Sequence, residues 1–458
     1  MSHYLDDPEV GGVTETTPLN GRRPAPRSPW VCFLIDAHRA PGDDSGNFAV
    51  KAAANTWRVL KISLQSSPVN ILIFFAPVGL IAGIMGWSPI SVFTLNSLAI
   101  IPLAAILSFA TEEISIKLGE TVGGLVNATF GNAVELIVSV IALKQGQIEI
   151  VQASILGSIL SNLLLVMGMC FLLGGIANMR SPNGAGIEQK FSSGTAQTTS
   201  PLMTLAAASM TIPTTLYGIL NGNMDPDKKD AFILTLSRGT SIILLMLYCL
   251  YLYFQLNTHK NLFIADPPQS TQNGFANGVD VHPELDLGSE EEQEHMVWWA
   301  AALVLIAVTV IISFCANYLV ESIEPIVETG VLSRAFIGLI LIPIVGNAAK
   351  HVTACVVAVR NKMDLALAVA IGSSIQISLL VTPALVITGW LALDQPISLH
   401  FETFQTVAFG LSVLIVTCTV QDGKSNYLEG AMLLGLYIII AIAFYASPQN
   451  GLDVTVRQ

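Results

Sequence analysis

The chain has 458 residues, of which 52% are hydrophobic and only 12% are charged. Soluble proteins carry about 25% charged residues, so the composition excludes a soluble domain and indicates a protein that crosses the lipid bilayer many times. The formal net charge is −12. Much of this charge lies in the ends and one loop, so it says little about nucleic acid; no nucleic-acid partner is expected.

The first segment, residues 1–65, is polar and contains several prolines, which predicts a cytosolic N-terminal tail. Within it, residues 52–64 place Trp57 and Leu60 beside Arg58, a pattern typical of a short amphipathic helix at the membrane surface. The segments between spans that lie on the same side of the membrane as this tail contain more Lys and Arg than those on the opposite side. This bias favours a cytosolic N-terminus.

Apolar runs long enough to span a bilayer follow the tail. They predict an all-α polytopic membrane protein with about 11 transmembrane helices, arranged as one helix and two repeats of five. Because each repeat has an odd number of spans, the second is expected to lie inverted relative to the first. The runs lie near 69–87, 90–110, 121–143, 148–173, 201–220, 231–254, 297–319, 332–358, 364–389, 403–420 and 428–446.

These runs also set the expected domain boundaries. The loop between the repeats is rich in Glu and contains Pro, Asn and Gly residues. It is either a solvated linker or an acidic helix that attracts cations near the cytosolic mouth. The expected domains are the tail 1–65, the first helix and first repeat 66–254, the cytosolic acidic loop 255–296, the second repeat 297–450 and a C-terminal tail 451–458.

A short polar block occurs twice within these apolar helices. Gly131-Asn132-Ala133-Val134-Glu135 in the first repeat corresponds to Gly346-Asn347-Ala348-Ala349-Lys350 in the second. The spacing of 215 residues continues without a gap to Gly157-Ser158 and Gly372-Ser373. The duplication indicates a secondary transporter built from two halves. No P-loop, nucleophile elbow or metallohydrolase spacing is present, so the chain is not expected to be an enzyme.

The residue types in the first block indicate cation chemistry. On a helix, Asn132 and Glu135 lie on one face, and Gly131 permits local unwinding that exposes backbone carbonyls. Carboxylate, amide and carbonyl oxygens are hard ligands that suit Ca2+ or a similar cation. A carboxylate in the membrane interior requires an ion, a proton or another partner, and desolvation raises its affinity for protons. Exchange of a metal ion for protons follows from that competition.

Polar side chains in neighbouring positions add candidates for the same site. Each serine or amide either supplies an oxygen to the ion or forms a hydrogen bond between helices. His351, next to Lys350, is either a possible proton carrier or a buried contact between helices. The candidates are Ser158, Ser161 and Asn162 in one half and Ser373, Ser374, Gln376 and Ser378 in the other.

The paired blocks resemble those of the cation/proton exchangers of the calcium/cation antiporter superfamily, and most closely the fungal vacuolar Ca2+/H+ exchangers. The likeness covers about residues 60–450 and extends through Gln152–Ser158, Met363–Leu367 and Ser425–Gly430. It implies an eleven-helix fold in a vacuolar membrane, with Ca2+ and H+ as the transported ions and no cofactor. It also implies that Asn132, Glu135 and Asn347 are metal ligands, and that Ser158, Ser373 and Gln376 line the ion-binding site.

The chain departs from this family at two positions of the second half. Lys350 stands where the family has its second Glu, and Asn317 stands where the family usually has an acidic residue. A lysine ammonium about 4 Å from a divalent ion would repel it by roughly 8 kcal/mol at an effective dielectric constant of ~20. We therefore expect Ca2+ exchange by this chain to be impaired.

Three arrangements of Lys350 are open on the sequence alone. The lysine pairs with Glu135 and locks the site; or burial lowers its pKa, so that it binds protons in alternation with another or a monovalent cation; or it swings away into an aqueous cavity. The corresponding functions are, in the same order, a transport-deficient homologue that acts as a regulatory membrane protein, an exchanger of altered selectivity, and a Ca2+/H+ antiporter of reduced activity.

Overall fold

The computed structural model describes residues 48–179, 188–220, 225–259 and 296–447. The chain divides into two units, residues 1–62 and residues 63–458, and the site described below belongs entirely to the second. The predicted structures of residues 1–47, of most of the acidic loop and of the C-terminal tail lie outside the described residues.

The described chain is almost entirely helical. A two-residue β-strand pair, β1 (Gln189–Lys190) with β2 (Lys424–Ser425), is antiparallel with Gln189 opposite Ser425. The first part comprises α1 (Phe48–Gln65), a 3-10 turn (Pro68–Phe74), α2 (Phe75–Ile84), α3 (Pro89–Phe130), α4 (Ala133–Lys144), α5 (Ile148–Asn178), α6 (Ser193–Leu220) and α7 (Pro226–Thr258). The second comprises α8 (Trp298–Glu328), α9 (Arg334–Val359), α10 (Met363–Leu393), α11 (Thr403–Val420) and α12 (Tyr427–Ala446).

The number of membrane-spanning helices agrees with the sequence prediction. Among the described residues, 9 helices are long and apolar enough to cross a bilayer, and up to 11 if each of two bent pairs is one span. Every apolar run in the sequence coincides with one of these spans. The all-α polytopic fold, with one leading helix and two repeats of five, is therefore confirmed.

The two halves repeat each other in local structure as well as in sequence. Helices α5 and α10 begin at Ile148 and Met363, which are separated by the same 215 residues as Glu135 and Lys350. Each then widens into a π-helical turn at an equivalent place, Ser161–Val166 in α5 and Ile377–Val381 in α10. Such turns are frequent at functional sites. The duplicated sequence therefore encodes a duplicated helix with the same interruption.

The two copies of the polar block differ in backbone structure. The span predicted over residues 121–143 consists of two helical segments: Gly131 and Asn132 separate α3 from α4, and the helical axis bends there by 46°. A further kink at Gly119, where φ is +76°, requires a glycine because other residues are strained in this conformation. In the second half, Gly346 and Asn347 lie inside the continuous helix α9.

The most buried helices are α5 and α10. The most apolar 18-residue windows of α5 and α10 are 72% and 67% buried, whereas those of α7 and α12 are only 28% buried, so the former pair is central and the latter faces outwards. Close approach of α5 to α9 requires small residues: a Cβ at Gly157 would overlap with the Leu339 carbonyl oxygen, and one at Gly338 would contact Ala153.

An extended segment between α10 and α11 is held by side chains of three helices. Gln152 of α5 donates to the carbonyl oxygens of Ser398 and His400, at 2.9 and 2.8 Å. The Ser237 hydroxyl accepts from the Leu399 N–H, and the Thr214 hydroxyl accepts from the Phe401 N–H. Gln152, which belongs to the motif shared with the exchangers, thus satisfies buried backbone groups.

The contact of α5 with α9 predicts the effect of a small substitution. Gly157→Ala should destabilise the protein by about 1–3 kcal/mol, because the added methyl group overlaps with a backbone carbonyl that cannot move freely. The thermal unfolding midpoint of the purified protein in detergent measures this. Gly435→Ala is the matched control, since a Cβ there meets no atom within 4 Å. If Gly157→Ala and Gly435→Ala had the same thermal unfolding midpoint, the close contact of Gly157 with α9 would be contradicted.

Candidate cation site

The ammonium group of Lys350 lies at the centre of a cluster of side-chain oxygens. Its Nζ donates to Asn132 Oδ1 at 2.8 Å and to Glu135 Oε1 at 2.8 Å, which come from the first half of the chain. From the second half it is 3.1 Å from Asn347 Oδ1 and 3.5 Å from Ser373 Oγ. The three short contacts match the three N–H donors of an ammonium group. Lys350 therefore joins the two halves through one nitrogen atom.

The break between α3 and α4 positions the first two of these oxygens. Asn132 occupies the N-cap position of α4 with non-helical backbone angles, but its side chain caps no backbone N–H. Its amide instead points away from the helix, accepting from Lys350 and donating to Gln376 Oε1 at 2.6 Å. Asn132 thus precedes α4 as its N-cap and does not lie within the helix, but its side chain and that of Glu135 contact the same nitrogen atom, as expected of residues on one face.

Glu135 lies in the first turn of α4, where the positive end of the helix dipole favours a carboxylate. Its side chain is only 8% exposed, and that of Lys350 is 17% exposed, so the ion pair is largely removed from water. One oxygen of Glu135 bonds to Lys350, while the other, Oε2, is buried without a hydrogen-bond partner in the described structure. The carboxylate thus has one oxygen still available.

The second half contributes two pairs of residues spaced by one helical turn. Asn347 and Lys350 share a face of α9, and Ser373 and Gln376 share a face of α10. Ser373 donates to Asn132 Oδ1 at 2.7 Å. Every atom that faces the Lys350 nitrogen in this cluster is an oxygen. Five of the six predicted ion-binding residues are consequently in hydrogen-bond contact with each other or with Lys350.

The sixth, Ser158, lies close by but outside this network. It lines a cavity together with Glu135. Asn162, one turn further along α5, donates to Ser373 Oγ at 3.3 Å and so belongs to the cluster. The hydroxyls of Ser161, Ser374 and Ser378 instead bond to carbonyl oxygens of their own helices. Those three hydroxyls donate to backbone carbonyl oxygens and do not contact the cluster around Lys350.

Two other candidates are placed differently. Asn317 lies apart from the cluster: it accepts from Gln145 and donates to Glu321, at 3.1 and 2.7 Å, so its replacement of an acidic residue does not alter the charge next to Lys350. His351 is buried on α9, and its Nε2 has no hydrogen-bond partner in the described structure.

The chemistry of the cluster is that of a hard-cation site occupied by an ammonium group. One carboxylate oxygen, two amide oxygens and one hydroxyl converge from three helices and one helix break. These are the ligand types that Ca2+ prefers. Lys350 supplies the positive charge in place of a free ion, which matches the first of the three arrangements expected from the sequence. In this structure the lysine lies against Glu135 and not in the third arrangement, in which it swings away.

Comparison with known proteins bears on this interpretation. The profile of the sodium/calcium exchanger protein family matches residues 88–257 and 300–446, which is more than half of the chain. The chain belongs to the sodium/calcium exchanger family. The matched segments include the duplicated block of each half, so all of the oxygen ligands around Lys350 lie within the regions typical of this family.

Individual members of the family align along most of their length. A vacuolar calcium ion transporter of Schizosaccharomyces pombe is 46% identical over 395 residues, covering 86% of this chain and 89% of that protein. A Ca(2+)/H(+) antiporter of Aphanothece halophytica is 43% identical over 378 residues, covering 82% and 96%. The solved structure of native YfkE superposes with a TM-score of 0.65 at 34% identity, covering 83% of this chain and all of YfkE.

The buried ion pair makes a prediction about stability. Removing either partner leaves an uncompensated buried charge, so Glu135→Gln and Lys350→Met should each destabilise the protein by about 3–5 kcal/mol. The double variant should lose less than the sum of the two, as measured by unfolding in detergent. Lys424→Met is the control, because its pair with Glu188 is exposed. Additive losses in the double variant would contradict a direct pair.

Proposed function

We propose that this chain is a cation/proton antiporter of the Ca2+/H+ exchanger type, in the vacuolar membrane with its N-terminus in the cytosol, whose cation position is held by the Lys350 ammonium. The observation that carries the proposal is the set of oxygens around the lysine nitrogen. Glu135, Asn132 and Asn347 act as the ligands, supported by Ser373 and Gln376.

The oxygen set supports cation transport rather than catalysis. The ligands belong to two sequence-related halves that meet in the core, which is the arrangement that lets one half move against the other around a fixed site. A buried carboxylate in such a site binds either a cation or a proton, because leaving it charged and unpartnered is unfavourable. Because the cation and the proton compete for Glu135, transport of the cation in one direction is coupled to transport of the proton in the other.

The charge at position 350 determines how well this chain performs that exchange. With Lys350 in place the Glu135–Lys350 pair is electrically neutral, and Ca2+ must displace an ammonium that already has three short hydrogen bonds. The lysine–calcium repulsion of roughly 8 kcal/mol at ~4 Å is far larger than the contribution of one neutral ligand. Native Ca2+ exchange is therefore slow, and the chain keeps the scaffold of an active exchanger.

A second candidate function follows from the same contact. If the Glu135–Lys350 pair holds the two halves together in one conformation, the chain is a transport-deficient homologue that regulates other membrane proteins. The two short bonds from Lys350 to Asn132 and Glu135 of the first half favour this alternative, since they must break before the halves can separate.

Proton flux in proteoliposomes tests the proposal. The unmodified chain should show little Ca2+-driven proton movement under a pH gradient, and Lys350→Glu should raise the rate at least about tenfold, because it removes a repulsion worth several times 1.4 kcal/mol. Lys424→Glu is the matched control: it makes the same change of charge at an exposed ion pair outside the site and should leave the rate unchanged.

The possible outcomes separate the two functions. Rapid Ca2+ exchange by the unmodified chain would contradict the charge argument. A correctly folded Lys350→Glu variant that gains no flux would contradict the antiporter proposal and support the regulatory one. Lys350→Gln removes the positive charge without adding a carboxylate, and we expect it to recover less activity than Lys350→Glu.

A further inference from the structure

Two cysteine thiols meet where α5 packs against α9. Cys170 of α5 is 1% exposed, and Cys355 of α9 is partly exposed. The two thiols are hydrogen-bonded to each other, and neither takes part in a disulfide in this structure. Because α5 belongs to the first half of the chain and α9 to the second, the two sulfur atoms lie on opposite sides of the boundary between the halves.

The packing of these two helices holds the thiols close together. A Cβ at Gly174 of α5 would lie 3.1 Å from the carbonyl oxygen of Ala358 in α9, so the two backbones are nearly in contact there. The contact at Gly157 lies further towards the N-terminus of both helices, and α5 and α9 therefore run side by side in the same direction. Cys170 precedes Gly174 by four residues and Cys355 precedes Ala358 by three, which places both cysteines one helical turn back on the contact face. Close backbones are what a disulfide requires, because its Cα atoms are usually about 4.4–6.8 Å apart.

One of the two thiols is within reach of the membrane surface. Cys355 lies four residues before the end of α9 at Val359, which is about 6 Å along the helix axis. The turn that follows carries Arg360 and Lys362, both exposed, as is typical of a segment at the membrane surface. A small oxidant such as hydrogen peroxide has only this short distance to travel to Cys355, whereas Cys170 is enclosed. An accessible cysteine beside a second, resolving cysteine is the usual arrangement of an oxidisable pair.

We propose that Cys170 and Cys355 form a disulfide when hydrogen peroxide oxidises the protein, and that this bond joins the two halves of the chain covalently. The Cys355 sulfur attacks the peroxide, the O–O bond breaks, and a sulfenic acid and one water are formed. The Cys170 sulfur then attacks the Cys355 sulfur, the S–O bond breaks, and the hydroxide leaves as a second water with the Cys170 proton. Two thiols are thereby oxidised, and one peroxide is reduced to two waters.

The disulfide acts on the cation site through α9. Cys355 follows Lys350 by five residues on one continuous helix. The hydrogen bonds from Lys350 to Asn132 and Glu135 can break and re-form, whereas a covalent link to α5 keeps α9 against the first half. Oxidation therefore holds the exchanger in one conformation, and a thiol reductant releases it. This effect on transport rests on the proposed function, but formation of the disulfide does not.

Thiol mapping of the purified full-length chain in detergent tests for the bond. After treatment with hydrogen peroxide and alkylation of the remaining thiols, mass spectrometry should find the peptides of Cys170 and Cys355 linked to each other, with loss of alkylation at both. Dithiothreitol should separate the two peptides. Cys170→Ala and Cys355→Ala should each abolish the link. Cys418→Ala is the matched control, because Cys418 is an exposed cysteine of α11 and its removal should leave the link intact.

The effect on transport is measured in the Lys350→Glu variant, whose Ca2+-driven proton flux is expected to be high. Peroxide should abolish this flux, and dithiothreitol should restore it. Adding Cys355→Ala to Lys350→Glu should make the flux insensitive to peroxide, which separates the disulfide from oxidation elsewhere in the chain.

Three results would overturn the proposal. They are full alkylation of both thiols after peroxide treatment, conversion of Cys355 to a sulfinic acid without a link to Cys170, and a linked Lys350→Glu variant that transports as fast as the reduced one. The mapping does not depend on transport. A linked peptide pair together with no flux in the reduced Lys350→Glu variant would therefore reject the proposed function and keep the disulfide.

Discussion

The contact of the Lys350 ammonium with oxygens from both halves of the chain is the interaction on which the site depends. A buried carboxylate and three neutral oxygens around an empty centre would be unfavourable, because their lone pairs would face each other without a cation. The Lys350 ammonium supplies the positive charge that these oxygens face, so no bound ion is needed. The site is consequently stable without a metal ion, and the same feature reduces its affinity for one.

The helices around the lysine show how a duplicated sequence gives an asymmetric site. In the first half, the break at Gly131 and Asn132 turns an amide away from the helix and begins a new helix just before Glu135. In the second half, Asn347 and Lys350 remain on a continuous helix. A long flexible side chain extends from the regular helix to the two residues at the break. The π-helical turns Ser161–Val166 and Ile377–Val381 are shared by the two halves, whereas the polar block is not.

The sequence predicted the spans, the repeat and five of the residues that cluster around Lys350, because each depends on a strong local signal. Apolar length sets the spans, and the constant spacing of the two blocks sets the pairing of Glu135 with position 350. The sequence indicated that Gly131 permits local unwinding, but the bond from Asn132 to Gln376 was not predictable, since it joins residues 244 positions apart.

Other misses have similar causes. A single sequence does not distinguish a serine that lines a cavity from one that bonds to its own helix, so Ser374 and Ser378 seemed equivalent to Ser373. Asn317 lies in a membrane helix like the site residues, but its contacts with Gln145 and Glu321 place it elsewhere. No signal in the sequence indicated the cavity beside Glu135 and Ser158, whose walls come from six helices.

A high-resolution experimental structure of the unmodified chain at saturating Ca2+ tests the central claim most directly, because anomalous scattering distinguishes calcium from nitrogen. We predict that the Lys350 nitrogen stays within hydrogen-bonding distance of Asn132, Glu135 and Asn347, with no calcium peak between them. A calcium ion coordinated by those three residues, with the lysine turned away, would contradict the account.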